Sequence, residues 1–311
     1  MNLRPRQSTH VYRERVNRVI DYIKDHLAEP LPIDKLARLA HFSPFHFHRI
    51  FRSIVGEPLH ACVKRLRLER AIQHILYGPT ATLTEIALGS GFASSSDFSR
   101  VFKQAYGFIP SRCSRERLLE DSKIRQDLFA NVGYGFGKLP AGNPDRFRVR
   151  LVDRPVQGVA YVRVIGAFNA DKALAGFDRL MNWGRRHALL PGATLIGMSR
   201  DHPESTPVQK YQLDWCLVVP PGLEADGEMS FAEIPANRFA VVRSAGDVHK
   251  EGRAWRHLYE SWLPASGYQP TNDPSMGVYR RTPLELDWER YDLDCCLPVR
   301  RLHPDRWSRH P

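Results

Sequence analysis

The sequence predicts a multidomain protein in which an all-α double helix-turn-helix unit precedes an α+β unit of two pseudo-symmetric strand-helix-strand-strand modules. Three observations predict it. Phe47, Arg49, Phe51 and Gly56 recur 51 residues later as Phe98, Arg100, Phe102 and Gly107, and Leu36-Ala37 is echoed by Ile86-Ala87. In the second half an offset of 80 pairs Arg163 with Arg243, Gly166 with Gly246, Gly197 with Gly277, Arg200 with Arg280 and Pro203 with Pro283. The same offset pairs Tyr211, Leu213, Asp214, Cys216, Leu217 and Val219 with Tyr291, Leu293, Asp294, Cys296, Leu297 and Val299. The net charge of +11 is uneven, with 19 Lys and Arg against 11 Asp and Glu in residues 1–120 and 26 against 23 in the remainder.

A chain of 311 residues that is 42% hydrophobic has material for two cores. No apolar run is long enough for a membrane span, and MNLRPRQSTH lacks the apolar centre of a secretory signal, so the expected location is the cytoplasm. Cys62, Cys113, Cys216, Cys295 and Cys296 include no CxxC pair and are expected to be core thiols. His46 and His48 are two apart, which on a helix aims them at different faces, so no metal site and no cofactor are expected. A basic first third without an amphipathic apolar-and-lysine helix favours double-stranded DNA over a membrane as its partner.

Residues 11–27 place Val11, Val16, Val19, Ile20, Ile23 and Leu27 on one helical face, and Glu29-Pro30 ends that helix. A short helix at Ile33–Ala40 and a tight His41-Phe42 turn lead into FSPFHFHRIFRSIVG, where Ser43 is an N-cap, Pro44 the first helical residue and Gly56 the stop. Phe47, Ile50, Phe51 and Ile54 form the inward stripe, leaving Phe45, His48, Arg49 and Arg52 outside. Residues 58–77 predict a longer helix with Leu59, Val63, Leu66, Ala71 and Ile75 inside and Lys64, Arg65, Arg67 and Arg70 mostly outside, closed by Gly78-Pro79. The second copy starts at a Thr82–Glu85 capping box, turns at Gly91, and opens its outer helix with Ser94, Ser95, Ser96 and Asp97.

IALGSGF followed by DFSRVFKQAYGFIP resembles the signature of the AraC/XylS family of transcriptional regulators, over about residues 11–117. The resemblance implies two recognition helices that enter successive major-groove segments. By position, the implied base readers are Phe45, His48 and Arg49 in the first helix and Ser95, Ser96 and Arg100 in the second, with Arg52 and Lys103 on phosphates. A structural salt bridge is the alternative for Arg49 and Arg100, and of the two Arg100 is the better candidate for a structural role or a phosphate contact. Cys113 and Ser114 stand where the family usually has a tyrosine-arginine pair.

NVGYGFGKLPAGNP has the composition of a linker. Beyond it each repeat reads strand, helix, strand, strand: GVAYVRVIG, ALAGFDRLMNWGRRHAL, ATLIGMSRD and YQLDWCLVV, then RFAVVRSAG, GRAWRHLYESWL, SMGVYRR and YDLDCCLPV. One module alone leaves a sheet face bare, so the two are expected to pack together with a groove between them. These repeats resemble the GyrI-like (SOS-induced gyrase inhibitor-like) effector-binding domain, over about residues 146–302. That resemblance implies a small-molecule cleft, and Tyr161, Trp183, Trp215, Phe231, Trp255, Trp262, Tyr268 and Tyr279 are the aromatic residues available to line it. Family members commonly carry a glutamate where this chain has Gly277; Glu233, Asp214 and Glu260 are the candidate substitutes, and ligand charge stays open.

The expected boundaries are a DNA-binding unit at 1–118, a linker at 119–145, an effector unit at 146–303 and a tail at 304–311. The expected function is ligand-responsive regulation of transcription, as an activator with RNA polymerase as a possible partner. A protein-interaction role for the second unit is the alternative. With no GxSxG, HExxH or phosphate loop, and only His249 near Asp247 as a base and its acid, a hydrolase is the weakest reading and no catalytic residue is assigned.

Overall fold

The computed structural model describes residues 5–77, 81–114, 117–118, 143–199, 201, 206–207, 209–223 and 227–301, without the side chains of residues 5–10 and 45. Gly78-Pro79, most of the expected linker, the tail, and Arg200 and Pro203 of the second repeat lie outside these residues. The chain forms two compact units, one helical and one built on a sheet.

In the helical unit α1 (Pro5–Asp25) precedes two helix pairs, α2 (Ile33–Leu39) with α3 (Pro44–Val55) and α5 (Leu83–Gly89) with α6 (Ser95–Tyr106), and α4 (Leu59–Tyr77) joins the pairs. Both second helices start and stop alike. The Ser43 and Ser94 hydroxyls accept from the amides of His46 and Asp97, and Gly56 and Gly107 end the helices at φ 76° and 81°. Both inter-helix turns need a left-handed residue, His41 at φ 53° and Gly91 at φ 87°. Thr82 and Glu85 form the reciprocal cap at the start of α5.

Each pair has its own core. Phe47 and Phe51 are fully buried with Val19, Ile23 and Leu36, and Phe98 and Phe102 with Ile72 and Ala87. A buried phenylalanine contributes about 2–3 kcal/mol, so these rings anchor α3 and α6. Helix α4 serves both cores, giving Leu59, Cys62 and Leu66 to the first and Leu68, Ala71 and Ile72 to the second.

One expectation for α4 is corrected. Arg65, Arg67 and Arg70 are not an outward basic row. Arg65 bridges Glu57 and Glu69 at 2.8 Å each, with its side chain only 16% exposed. Arg67 donates to the carbonyls of Leu27 and Glu29, and Arg70 to that of Lys24. Carbonyls at a helix end lack partners of their own, and these guanidinium groups supply them where α1 runs out.

The sheet unit is a nine-stranded antiparallel sheet whose path is β1-β6-β9-β8-β3-β4-β2-β5, with β7 paired to β9. The first module is β2 (Gln157–Ile165), α7 (Ala170–Arg186), β3 (Leu195–Ser199) and β4 (Gln212–Val218). The second is β6 (Asn237–Gly246), α8 (Val248–Arg256), β8 (Ser275–Arg281) and β9 (Tyr291–Arg301). The short strands β1 (Arg150–Arg154), β5 (Ser230–Ile234) and β7 (Tyr268–Pro270) are additions that the repeat did not predict. After α8 the chain widens into a π-helical turn, His257–Trp262, and closes with α9 (Leu263–Ser266).

The modules meet at β3 and β8, where Gly197 lies directly opposite Gly277. Alternation divides the sheet into two faces. Val159, Tyr161, Ile196, Cys216, Val241, Met276 and Cys296 form one apolar core. The other face carries Trp215, Leu217 and Val164, with α7 close enough that a Cβ at Gly184 would fall 2.6 Å from Leu217 Cδ1. No described helix is long and apolar enough to cross a membrane.

Candidate nucleic-acid interface and ligand groove

With their phenylalanines turned inward, α3 and α6 present polar outer faces. His48, Arg49 and Arg52 on α3 are exposed, as are Ser96, Arg100 and Lys103 on α6, while Ser95 is half-buried in the first turn. The side chain of Phe45 lies outside the described residues. Arg100 pairs with Asp97 at 2.7 Å, one turn away on the same helix, and stays 70% exposed. Both helices start with uncapped amide groups beyond the single serine bond, an arrangement that suits a phosphate oxygen.

In the sheet unit the glycine pair lets neighbouring side chains close down onto the backbone. A Cβ at Gly197 would stand 3.3 Å from the Tyr279 ring and 3.4 Å from that of Trp215, and one at Gly277 would stand 2.9 Å from Leu293 Cδ1. Trp215 and Tyr279 therefore pack over the backbone of Gly197, and Leu293 over that of Gly277. The two ring centroids are 5.7 Å apart, the Trp215 indole N–H donates to the Ala173 carbonyl at 3.0 Å, and Trp288 and Phe177 pack edge-on behind it. These rings form an aromatic cluster in which the Trp215 indole N–H already has its partner.

The other predicted aromatic residues stand elsewhere. Tyr161 is 5% exposed and belongs to the core on the opposite face. Trp183 is fully buried between His187 and Phe231, and Trp262 stacks on Tyr268. Trp255 donates its indole N–H to Glu251 at 3.4 Å. The structure thus brings Trp215 and Tyr279 together, sets Trp255 beside Glu251, and gives Tyr161, Trp183, Phe231 and Trp262 packing duties.

The candidate acids are committed or exposed. Asp214 is held by Arg163 through two bonds of 2.6 and 2.7 Å, Glu260 by Arg256 at 2.7 Å, and Glu233 faces solvent. Asp247 caps α8 by accepting from the Lys250 amide at 2.8 Å, so it does not orient His249, which is exposed.

An acid that sequence reasoning passed over is better placed. Glu251, in the first turn of α8, is pushed up to about 7 by burial, against which the Trp255 hydrogen bond works. Tyr211, Tyr291 and Cys295 feel its charge. Cys295 lies directly across from Gly277. The Tyr211–Tyr291 identity in the repeat was the available signal, and a first-turn glutamate disguises itself as helix-terminus chemistry. The five cysteines are free, and burial raises Cys62 and Cys296 to about 12 each, which keeps both as thiols.

Comparison with known proteins agrees with this division. Residues 36–116 match the helix-turn-helix domain family and residues 147–300 the GyrI-like small molecule binding domain family. A DNA gyrase inhibitor of Serratia proteamaculans (strain 568) is 31% identical over 160 residues, covering 49% of this chain and 98% of that protein. The HTH-type transcriptional regulator YbfP of Bacillus subtilis (strain 168) is 34% identical over 99 residues, so this chain matches 33% of its length with 32% of its own. A crystal structure of a transcriptional regulator from Chromobacterium violaceum, described by its AraC-type DNA-binding domain, is 23% identical with a TM-score of 0.30, over 35% of this chain and 93% of that one. The chain belongs to the GyrI-like family and carries an AraC-type helix-turn-helix domain ahead of its GyrI-like domain.

Proposed function

We propose that the protein is a transcriptional regulator that grips promoter DNA with α3 and α6 and responds to an apolar or aromatic small molecule held beside Gly197 and Gly277. The observation that carries the DNA half is the repetition of one device: a serine-capped, glycine-stopped helix, anchored by two buried phenylalanines, with an exposed polar face. Arg49 is the base reader we assign, with Arg52 and Lys103 on phosphates. The Asp97 bond turns Arg100 toward a supporting role. Activation through RNA polymerase is the output expected of it.

The ligand half rests on the aromatic pair Trp215 and Tyr279 packed beside Gly197 and Gly277. Glu251 favours a second reading of the ligand's chemistry. A half-buried carboxylate whose only bonded partner among the described residues is an indole N–H can accept a further donor, so a ligand with an N–H or cationic group suits it. The test is thermal unfolding of the full chain against a panel of neutral and cationic aromatic compounds, followed by DNA affinity with each hit. A stabilising compound should change DNA affinity and lose its effect in Tyr279→Ala. A panel that shifts nothing contradicts ligand sensing and favours a protein-contact role.

A further inference from the structure

The duplication contains its own control. In the first module Arg163 and Asp214 face each other across β2 and β4 and close into a two-bond pair, with side chains 5% and 6% exposed. Their counterparts, Arg243 and Asp294, face each other across β6 and β9 in the same register. Here the pair has come apart. Arg243 turns to Asp292 at 3.2 Å, Asp294 is taken by Arg280 at 2.9 Å, and both arginine side chains are about half exposed, 56% and 44%.

The opened pair borders a cleft of about 360 Å³ lined by Arg146, Arg148, Arg150, Arg243, Lys250 and Arg280, with Phe147 and a single acid, Asp145. That acid is already neutralised by Arg253, which holds both its oxygens. Arg146 and Arg148 have no carboxylate partner among the described residues. The strand-entry segment that bears them is pinned: the Asn143 side chain binds both the amide and the carbonyl of Phe147, and Phe147 is buried against His257. Arg146 is held at φ 55°, an uncommon backbone state for arginine. An array of guanidinium forks that outnumbers the nearby carboxylates Asp145, Asp292 and Asp294, the last also within 3.7 Å of Arg150, matches a multiply charged oxyanion better than a single carboxylate.

We propose that this cleft is a phosphoryl-binding site, separate from the small-molecule site proposed beside Gly197 and Gly277. The phosphoryl group can come from a free phosphorylated molecule or from a DNA backbone, and two arms of one experiment separate these sources. The first arm titrates the full chain with pyrophosphate by calorimetry at low salt. The second measures duplex DNA affinity over a salt series. Each compares the native chain with Arg148→Ala/Arg150→Ala, and with Lys172→Ala/Arg185→Ala as a control that removes the same charge from exposed positions on α7. Unfolding temperatures confirm that the variants are folded.

Saturable pyrophosphate binding that weakens about ten-fold or more in the cleft variant alone identifies a free anion as the ligand. If the cleft variant alone instead loses DNA affinity, with a shallower salt dependence, the phosphates are those of DNA. If pyrophosphate does not saturate the native chain and the DNA curves coincide, or if cleft and control variants behave alike, the proposal is overturned.

Discussion

At Gly91 a side chain has nowhere to go. Its φ of 87° is left-handed, and an added Cβ would run into the Leu27 carbonyl oxygen and stand 2.7 Å from Arg67 Nε. Gly91→Ala should therefore cost more than about 2 kcal/mol in urea unfolding, and a loss below about 1 kcal/mol would show that the turn relaxes. Glu251 gives a prediction of different form. Its folded-state value near 7 lies above the ordinary 4.5, so its contribution to stability is complete at low pH and disappears as pH rises through about 7. Between those limits the native state should lose about 3 kcal/mol. Glu251→Gln stays neutral, so relative to the native chain it should gain stability between about pH 4 and about pH 8. Curves that stay parallel over that range would place Glu251 in contact with solvent.

At the scale of elements, basic side chains that look alike in the sequence divide into two classes. Arg67 and Arg70 of α4 satisfy carbonyls at the end of α1, whereas Arg52 and Lys103 lie exposed on α3 and α6. Arg70→Ala should thus cost about 1–3 kcal/mol of stability and leave the salt dependence of DNA binding unchanged. Arg52→Ala should leave stability within about 0.5 kcal/mol and reduce the salt slope by about one. Interchanged results would reverse the assignment. The helices themselves were legible because Ser43, Pro44, Gly56 and the Thr82–Glu85 box are local chemistry, and because Phe47 and Phe51 repeat at helical spacing. The burial of Arg65, Arg67 and Arg70 was not legible, since helical periodicity shows which way a residue points but not what comes to meet it. Strands β1, β5 and β7 escaped notice for a related reason: each is short and is defined by its neighbour in the sheet. Tyr161 and Trp183 show the same limit for aromatic residues, whose composition marks a potential lining while alternation and helix docking decide which face each one takes.

For the whole molecule, each duplication is an economical way to build a two-sided device. The first yields two helices of one design, anchored in separate cores that share α4. The second yields a sheet whose centre is glycine against glycine, with aromatic and acidic groups supplied unequally by the two modules. That inequality is what the repeat alone could not reveal. Glu251 stands in the first turn of α8, and the residue 80 positions before it, Asp171, stands in the first turn of α7. The central claim is that α3 and α6 together read DNA, and selection of bound sequences from random duplexes by the full chain tests it most directly, with Arg49→Ala run in parallel. The account predicts a motif of two parts about one helical turn apart, in which Arg49→Ala relaxes preference within one part at a cost of about 1–3 kcal/mol. Failure to enrich any motif, or a single part unaffected by Arg49→Ala, would contradict it.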